Sequence, residues 1–320
     1  MSDVKAIVNP LLVWRNSYNP DIVSAIFRGV GQVFFQENSL SGICIVIGIA
    51  LNSPSMAIGA MVGSVLGTLT ARFLNFDKSE LSAGIFGFNA TLVGIASLFF
   101  FRPSPVLIIL MVVGCVVATV ATRLMRQYVP FPTYTTPFIV TTWIVYFLGI
   151  AIGVPQSAAG DPFGSRGFAV ATAHGIGQVM FQASVWTGVL FLIGIALSDW
   201  RHASWVLVGA IGGTLLASYH VSAAARALDP ERLVERALTE NIALGLYGYN
   251  ATLTAVALFL WRKSLISPLL GILISVPITE SFPSLGLPAL TAPFVLSTWI
   301  VLAIGRLEEI YWGSRKPVTA

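Results

Sequence analysis

The sequence predicts an all-α polytopic membrane protein, two inverted homologous repeats of five transmembrane helices each, with one half-membrane helix per repeat. Three observations carry this: scarce and clustered charge, a long internal repetition, and an uneven placement of lysine and arginine. Of 320 residues only 32 are charged, whereas 56% are hydrophobic, with 29 Gly and 17 Pro. Soluble chains carry about 25% charged residues, so an ordinary soluble enzyme is excluded. Uncharged runs cover 38–71, 81–101, 103–122, 127–160, 167–198, 202–225, 241–261, 264–279 and 281–305. Nearly all reach the roughly 20 apolar residues that cross a bilayer. So many spans in lipid require helices, because every backbone polar group must be satisfied within its own segment.

The repeat is visible by eye. GVGQVFFQENSLSGICIVIGIAL at 29–51 returns as GIGQVMFQASVWTGVLFLIGIAL at 175–197, and residues 29–71 match 175–217 at 19 of 43 positions without a gap. GIFGFNATL at 84–92 recurs as GLYGYNATL at 245–253, and PTYTTPFIVTTWIV at 132–145 recurs as PALTAPFVLSTWIV at 288–301. The halves run from about 20–155 and 166–305. Each is expected to contain five spans, in the first half 22–51, 55–72, 84–101, 105–125 and 136–154. The first is broken, since QENSLSG at 36–42 is too polar for one continuous lipid-facing helix.

Five crossings per half invert the second relative to the first. With the N-terminus inside, 13 basic residues fall inside and five (Arg102, Arg166, Arg226, Arg232 and Arg236) outside, in keeping with the bias of cytoplasmic loops toward positive charge. Both termini are thus expected in the cytoplasm. The net charge of +4 sits at the ends of apolar runs, a lipid-bilayer pattern, and no nucleic-acid partner is expected. No signal-peptide pattern precedes the first span, so Met1 onward is expected to be mature protein. Cys44 and Cys115 have no neighbouring His or acid and read as packing residues.

Inverted repeats place a site near the bilayer midplane, where duplicated polar residues meet. Gln32 and Gln178 lie in G-[VI]-G-Q-V-x-F-Q, and an amide in an apolar run must find partners. One reading is interhelical glue, with Gly29 and Gly31 allowing close approach; duplication favours a pore or substrate role. Thr135 and Thr291 open the last span of each half in T-x-P-F. Pro137 and Pro293 lack N–H groups and free backbone carbonyls, so threonine and carbonyls form either a row of acceptors or a plain helix start with threonine as its cap. Phe88 with Leu92, and Tyr249 with Leu253, lie four apart and share a helical face. Phe35 and Phe181 follow the glutamines by three residues, one turn on. These aromatics are either packing or a shaped wall beside Asn89 and Asn250. No duplicated acid lies within the spans: Glu37 and Glu280 are not counterparts, and each is expected near a helix end. His174 has Arg28 as its counterpart and is expected at the membrane interface. Neither an ion-coupled relay nor a hydrolytic nucleophile with its base is visible.

Together these motifs, with N-S-L-S-G at 38–42 and P-x-x-T-x-P-F in both halves, resemble the urea transporter family over 20–305. The compactness of the chain, 320 residues with short tails, leads to the expectation of a bacterial-type inner membrane, and the resemblance implies a passive channel, not an enzyme, with ten spans and two half-length pore helices. It implies one pore per subunit of a homotrimer, urea or a close analogue as substrate, and no cofactor. It places Gln32, Thr135, Gln178 and Thr291, with nearby carbonyls, in two oxygen rows. Val33, Phe35, Phe88, Leu92, Val179, Phe181, Tyr249 and Leu253 would form the walls of the slot between them. The chain departs from the family pattern at Asn38-Ser39, where Asn-Pro is common, at ASVWTG in the second half, at Tyr249 in place of phenylalanine, and at Gln178, where some relatives have a carboxylate.

Overall fold

The computed structural model describes residues 21–157, 167–227 and 239–312. Lys5, Arg15, Arg166, Arg232, Arg236, Arg315, Lys316 and the side chain of Arg226 lie outside them, as does the N-terminal segment. Helix α1 (Ile22–Gly31) continues as a 3₁₀ turn (Gln32–Phe34) and is followed by α2 (Ser39–Asn52), α3 (Pro54–Phe73) and the short α4 (Lys78–Ser82). Then come α5 (Phe88–Phe100), α6 (Pro105–Tyr128) and α7 (Thr136–Ala151). The second half repeats the order: α8 (Phe168–Gly177) with its 3₁₀ turn (Gln178–Met180), α9 (Val185–Ser198), α10 (Trp200–Ala227), α11 (Gly248–Trp261), α12 (Ile266–Ser281) and α13 (Ala292–Trp312). Among the described residues four helices are long and apolar enough to cross a membrane alone, and counting each of two bent pairs as one span brings the number to six. The chain is an integral, multi-pass membrane protein.

The starts of these helices are written in the sequence. Asn38 accepts from the N–H groups of Leu40 and Ser41 at the head of α2, and Ser53 and Ser104 cap α3 and α6 with proline next in line. These acceptors satisfy donors that a helix start leaves free. On α6, Val106, Ile109, Val113 and Val117 form an exposed apolar stripe, while Leu107, Met111, Gly114, Cys115 and Ala118 face inward. An apolar face turned outward is what lipid as solvent selects.

The break expected near 36–42 lies between Phe34 and Ser39, where α1 and α2 meet at 73°; α8 and α9 meet at 70°. One boundary differs from the hydrophobic run. Helix α5 begins at Phe88, not at 84, because Gly84 takes φ +82° and packs on the backbone of α1: a Cβ there would lie 2.4 Å from the Gly29 nitrogen. With 13 residues, α5 rises only about 20 Å.

Close backbone approach holds the bundle, as expected where lipid gives no hydrophobic drive between helices. Gly59, Gly63 and Gly67 on α3 let the carbonyls of Gly94, Ala90 and Phe86 approach to distances a side chain would forbid. At the contact between halves, Phe34 and Phe191 meet edge to face at 5.5 Å. Ser41 donates to the Gly194 carbonyl (2.6 Å) and Thr187 to the Gly48 carbonyl (2.7 Å). Residue 41 matches 187 and 48 matches 194 at one offset of 146, so each half gives the other the bond it receives.

Gly42 and Gly188 hold the bent pairs shut, for a Cβ would lie 1.9 Å from the Phe27 carbonyl oxygen or 2.1 Å from that of Ala173. Gly42→Ala and Gly188→Ala are each expected to destabilise the protein by about 1–3 kcal/mol through overpacking, seen as a lower melting temperature in detergent. An unchanged melting temperature would refute the close crossing.

Candidate functional site

The site begins with a backbone reversal that occurs twice. Phe35 (φ 60°) and Phe181 (φ 62°) are left-handed, and with Tyr134 and Leu290 they make up four of the five non-glycine residues of positive φ among those described. Phe35 N–H bonds Gln32 O and Gln36 N–H bonds Gly31 O; Phe181 and Gln182 do the same with Gln178 and Gly177. This pattern of helix ending normally carries glycine at the left-handed position, and a side chain there costs about 1–2 kcal/mol. Phenylalanine at this position turns its ring out of the helix line. The rings therefore do not lie one helical turn beyond the glutamines, as the three-residue spacing predicts, but at the point where the helix stops.

A buried glutamine clamps each reversal. Gln36 Nε2 donates to the Phe34 carbonyl and Gln182 Nε2 to that of Met180. The opposite half holds the remaining amide oxygen: His202 Nδ1 donates to Gln36 Oε1 (3.3 Å) and Asn52 to Gln182 Oε1 (2.8 Å).

Gln32 and Gln178 have a fixed orientation. Nε2 of Gln32 donates to Ala83 O (2.8 Å) and that of Gln178 to Leu244 O (3.1 Å). A carbonyl can only accept, so in both residues the amide nitrogen is committed and Oε1 is left to accept. One turn earlier, Arg28 Nη1 donates to Ser82 O (3.0 Å) and His174 Nδ1 to Ala243 O (2.8 Å).

The threonines come together. Thr135 and Thr291 are both 3% exposed and their hydroxyls lie 2.7 Å apart, a contact between counterparts where the halves meet. Neither proline disrupts a helix interior. Pro137 and Pro293 sit in the first turn of α7 and α13, and Thr135 makes no side-chain capping bond. Capping falls instead to Asn89 and Asn250, which accept from the N–H groups of Phe138 and Phe294 (both 3.2 Å). The carbonyls ahead of these helices have partners: Trp143 donates to Pro288 O, Trp299 to Pro132 O, and the Tyr249 hydroxyl to Leu290 O (2.7 Å).

A cavity of about 280 Å³ collects Gln178, Val179, Phe181, Tyr249 and Thr291 with Phe99, Phe100, Asn241 and Leu290. Phe181 packs on Phe99 (4.8 Å), Phe100 (6.1 Å) and Phe138 (6.4 Å). In the first half Phe35 packs on Tyr134 (6.1 Å) and Phe294 (6.3 Å). Val33, Leu92 and Leu253 are buried in the same core, with Phe88 packed against it; they support the rings and do not line the cavity. Sequence reasoning missed Phe138 and Phe294, although both stand in the duplicated T-x-P-F. It also missed Phe99, Phe100, Tyr134 and Leu290, which no repeated identity marks.

Fold and site together define a polytopic helical membrane protein with a ring-lined cavity formed by residues of both halves. The family model described as urea transporter matches residues 23–306, and the chain belongs to the urea transporter family. It is not an enzyme. It is 27% identical over 321 residues to urea transporter 1 of Ovis aries, covering 88% of this chain and 77% of that one. With urea transporter 1 of Rattus norvegicus it shares 29% over 312 residues, covering 87% and 76%.

Phe35→Gly and Phe35→Ala both remove the ring, but only alanine keeps a Cβ in the left-handed conformation. The glycine variant is expected to be the more stable by about 1 kcal/mol, read from melting temperatures. The reverse order would refute the left-handed turn.

Proposed function

We propose that the chain conducts urea passively through a slot between its halves. The observation that carries this is the locked orientation of Gln32 and Gln178, whose nitrogens are committed to backbone carbonyls so that each Oε1 is left to accept; Gln178 lines the cavity together with Phe181. Urea is flat and neutral, with four N–H donors along its edges and two faces free to lie against rings. Acceptors along an edge replace water for those donors, while the walls offer nothing to compensate an ion for lost hydration. The buried threonine pair supplies the polar step at the centre. Two hydroxyls that share one hydrogen bond retain one further hydrogen and spare lone pairs for a passing amide.

In this reading the halves are inverted repeats, 20–155 and 166–305, whose ten spans and two pore helices surround one pore per subunit of a homotrimer. The 13-to-5 division of basic residues supports cytoplasmic termini in a cell inner membrane. Close analogues of urea are further candidate substrates.

Stopped-flow urea uptake into proteoliposomes tests the proposal: rapid flux is expected whether or not a proton or sodium gradient is imposed, and flux that needs a gradient would overturn it. Gln32→Ala and Thr291→Val are each expected to lower urea permeability about tenfold, the worth of roughly 1.4 kcal/mol. Unchanged flux in both variants, with assembly intact, would refute the assignment of these oxygens.

A further inference from the structure

Gln32 and Gln178 are equivalent, but the residues one turn outside them are not. Arg28 and Gln32 lie four apart on one face of α1 and its 3₁₀ extension, bonding the consecutive carbonyls of Ser82 and Ala83. His174 and Gln178 lie four apart on the counterpart, bonding those of Ala243 and Leu244. One turn outside its glutamine, the first half therefore carries a guanidinium and the second an imidazole. No carboxylate lies within ion-pair distance of Arg28 among the described residues, where the recorded pairs are Arg126–Glu80, His202–Asp199, His220–Glu280 and Arg262–Glu308. Its Nε is buried without a hydrogen-bond partner. Asp21, two turns further out on α1, is occupied by Val23 N–H and the Ser24 hydroxyl. The charge is held in place by Ser82, whose carbonyl and hydroxyl receive Nη1, and the exposed Asp21 acts on it only at a distance, without an ion-pair contact.

An acceptor-lined slot has a selectivity problem that its geometry does not solve. Guanidinium has the flat outline and edge donors of urea, and a row of oxygens attracts its positive charge. We propose that Arg28 is a specificity-determining residue that repels small planar cations before they reach Gln32, leaving the neutral amide to pass. The inference rests on the slot reading above. The repulsion acts across about one helical turn, roughly 5–6 Å, in partly buried surroundings where charges are weakly screened.

The test is the guanidinium-to-urea permeability ratio, measured in proteoliposomes with both solutes at tracer concentration. Arg28→Gln is expected to raise the ratio about tenfold, while Arg28→Lys, which keeps the charge, stays near wild type. A ratio divides out differences in the amount of folded protein, and a merely structural arginine would not move it. If neither variant changes the ratio, or if lysine raises it as much as glutamine does, the inference is overturned. Should Arg28→Gln fail to assemble, the wild-type ratio is followed from low to high ionic strength. A rise as the charge is screened supports the inference and a flat response overturns it. Absent urea flux in the wild type would refute the slot reading itself, whereas urea flux with an unmoved ratio refutes only the role of Arg28.

Discussion

Everything at this site depends on a helix that is made to stop inside the protein. The 3₁₀ turn after α1 ends in a left-handed phenylalanine and two backbone hydrogen bonds, and from that reversal three consequences follow. The chain leaves at 73°, so α2 can pack against α9. The ring is delivered at the break instead of along a lipid-facing surface. The glutamine three residues earlier lies on the last turn, where its nitrogen reaches a carbonyl of the 82–83 segment. A glycine at the reversal would relax the backbone but supply no ring. The left-handed backbone at Phe35 and Phe181 is thus the kind of local strain that gathers at working sites, in keeping with the proposed role of their rings.

The second constraint is mutual support. Indoles of Trp143 and Trp299 reach the turns that precede the last helix of the opposite half, and Ser41 and Thr187 donate across the same boundary. Each half receives donors for part of its backbone from the other. In lipid a carbonyl cannot turn to water, so these donors from the other half add to what each half's own backbone supplies.

Much of this was legible in the sequence, and the residues show why. Duplication paired Gln32 with Gln178, which make equivalent but separate hydrogen bonds, and Thr135 with Thr291, whose hydroxyls meet, since two apolar helices do not keep polar residues in register by chance. The polar stretch 36–42 announced a break, because such a run cannot face hydrocarbon. What stayed hidden depends on backbone conformation. A helical count puts Phe35 one turn beyond Gln32, and no pattern says that a phenylalanine will sit where glycine is usual. The tasks of Asn89 and Asn250 were likewise unreadable: their acceptors serve helices 49 and 44 residues away. Tyr134 and Leu290 share a left-handed backbone but not a side chain, so the repeat did not mark them.

The paired clamps carry a consequence for how such a molecule can change. Gln36 and Gln182 do the same work, yet one is held by a histidine and the other by an asparagine, with Met56 Sδ also receiving the Gln182 amide. In a dimer of identical halves, any substitution would strike both sides at once and would have to suit both. Joining the halves in one polypeptide removes that coupling. Each clamp can then drift separately so long as its glutamine stays held, and the two halves become free to acquire different chemistry.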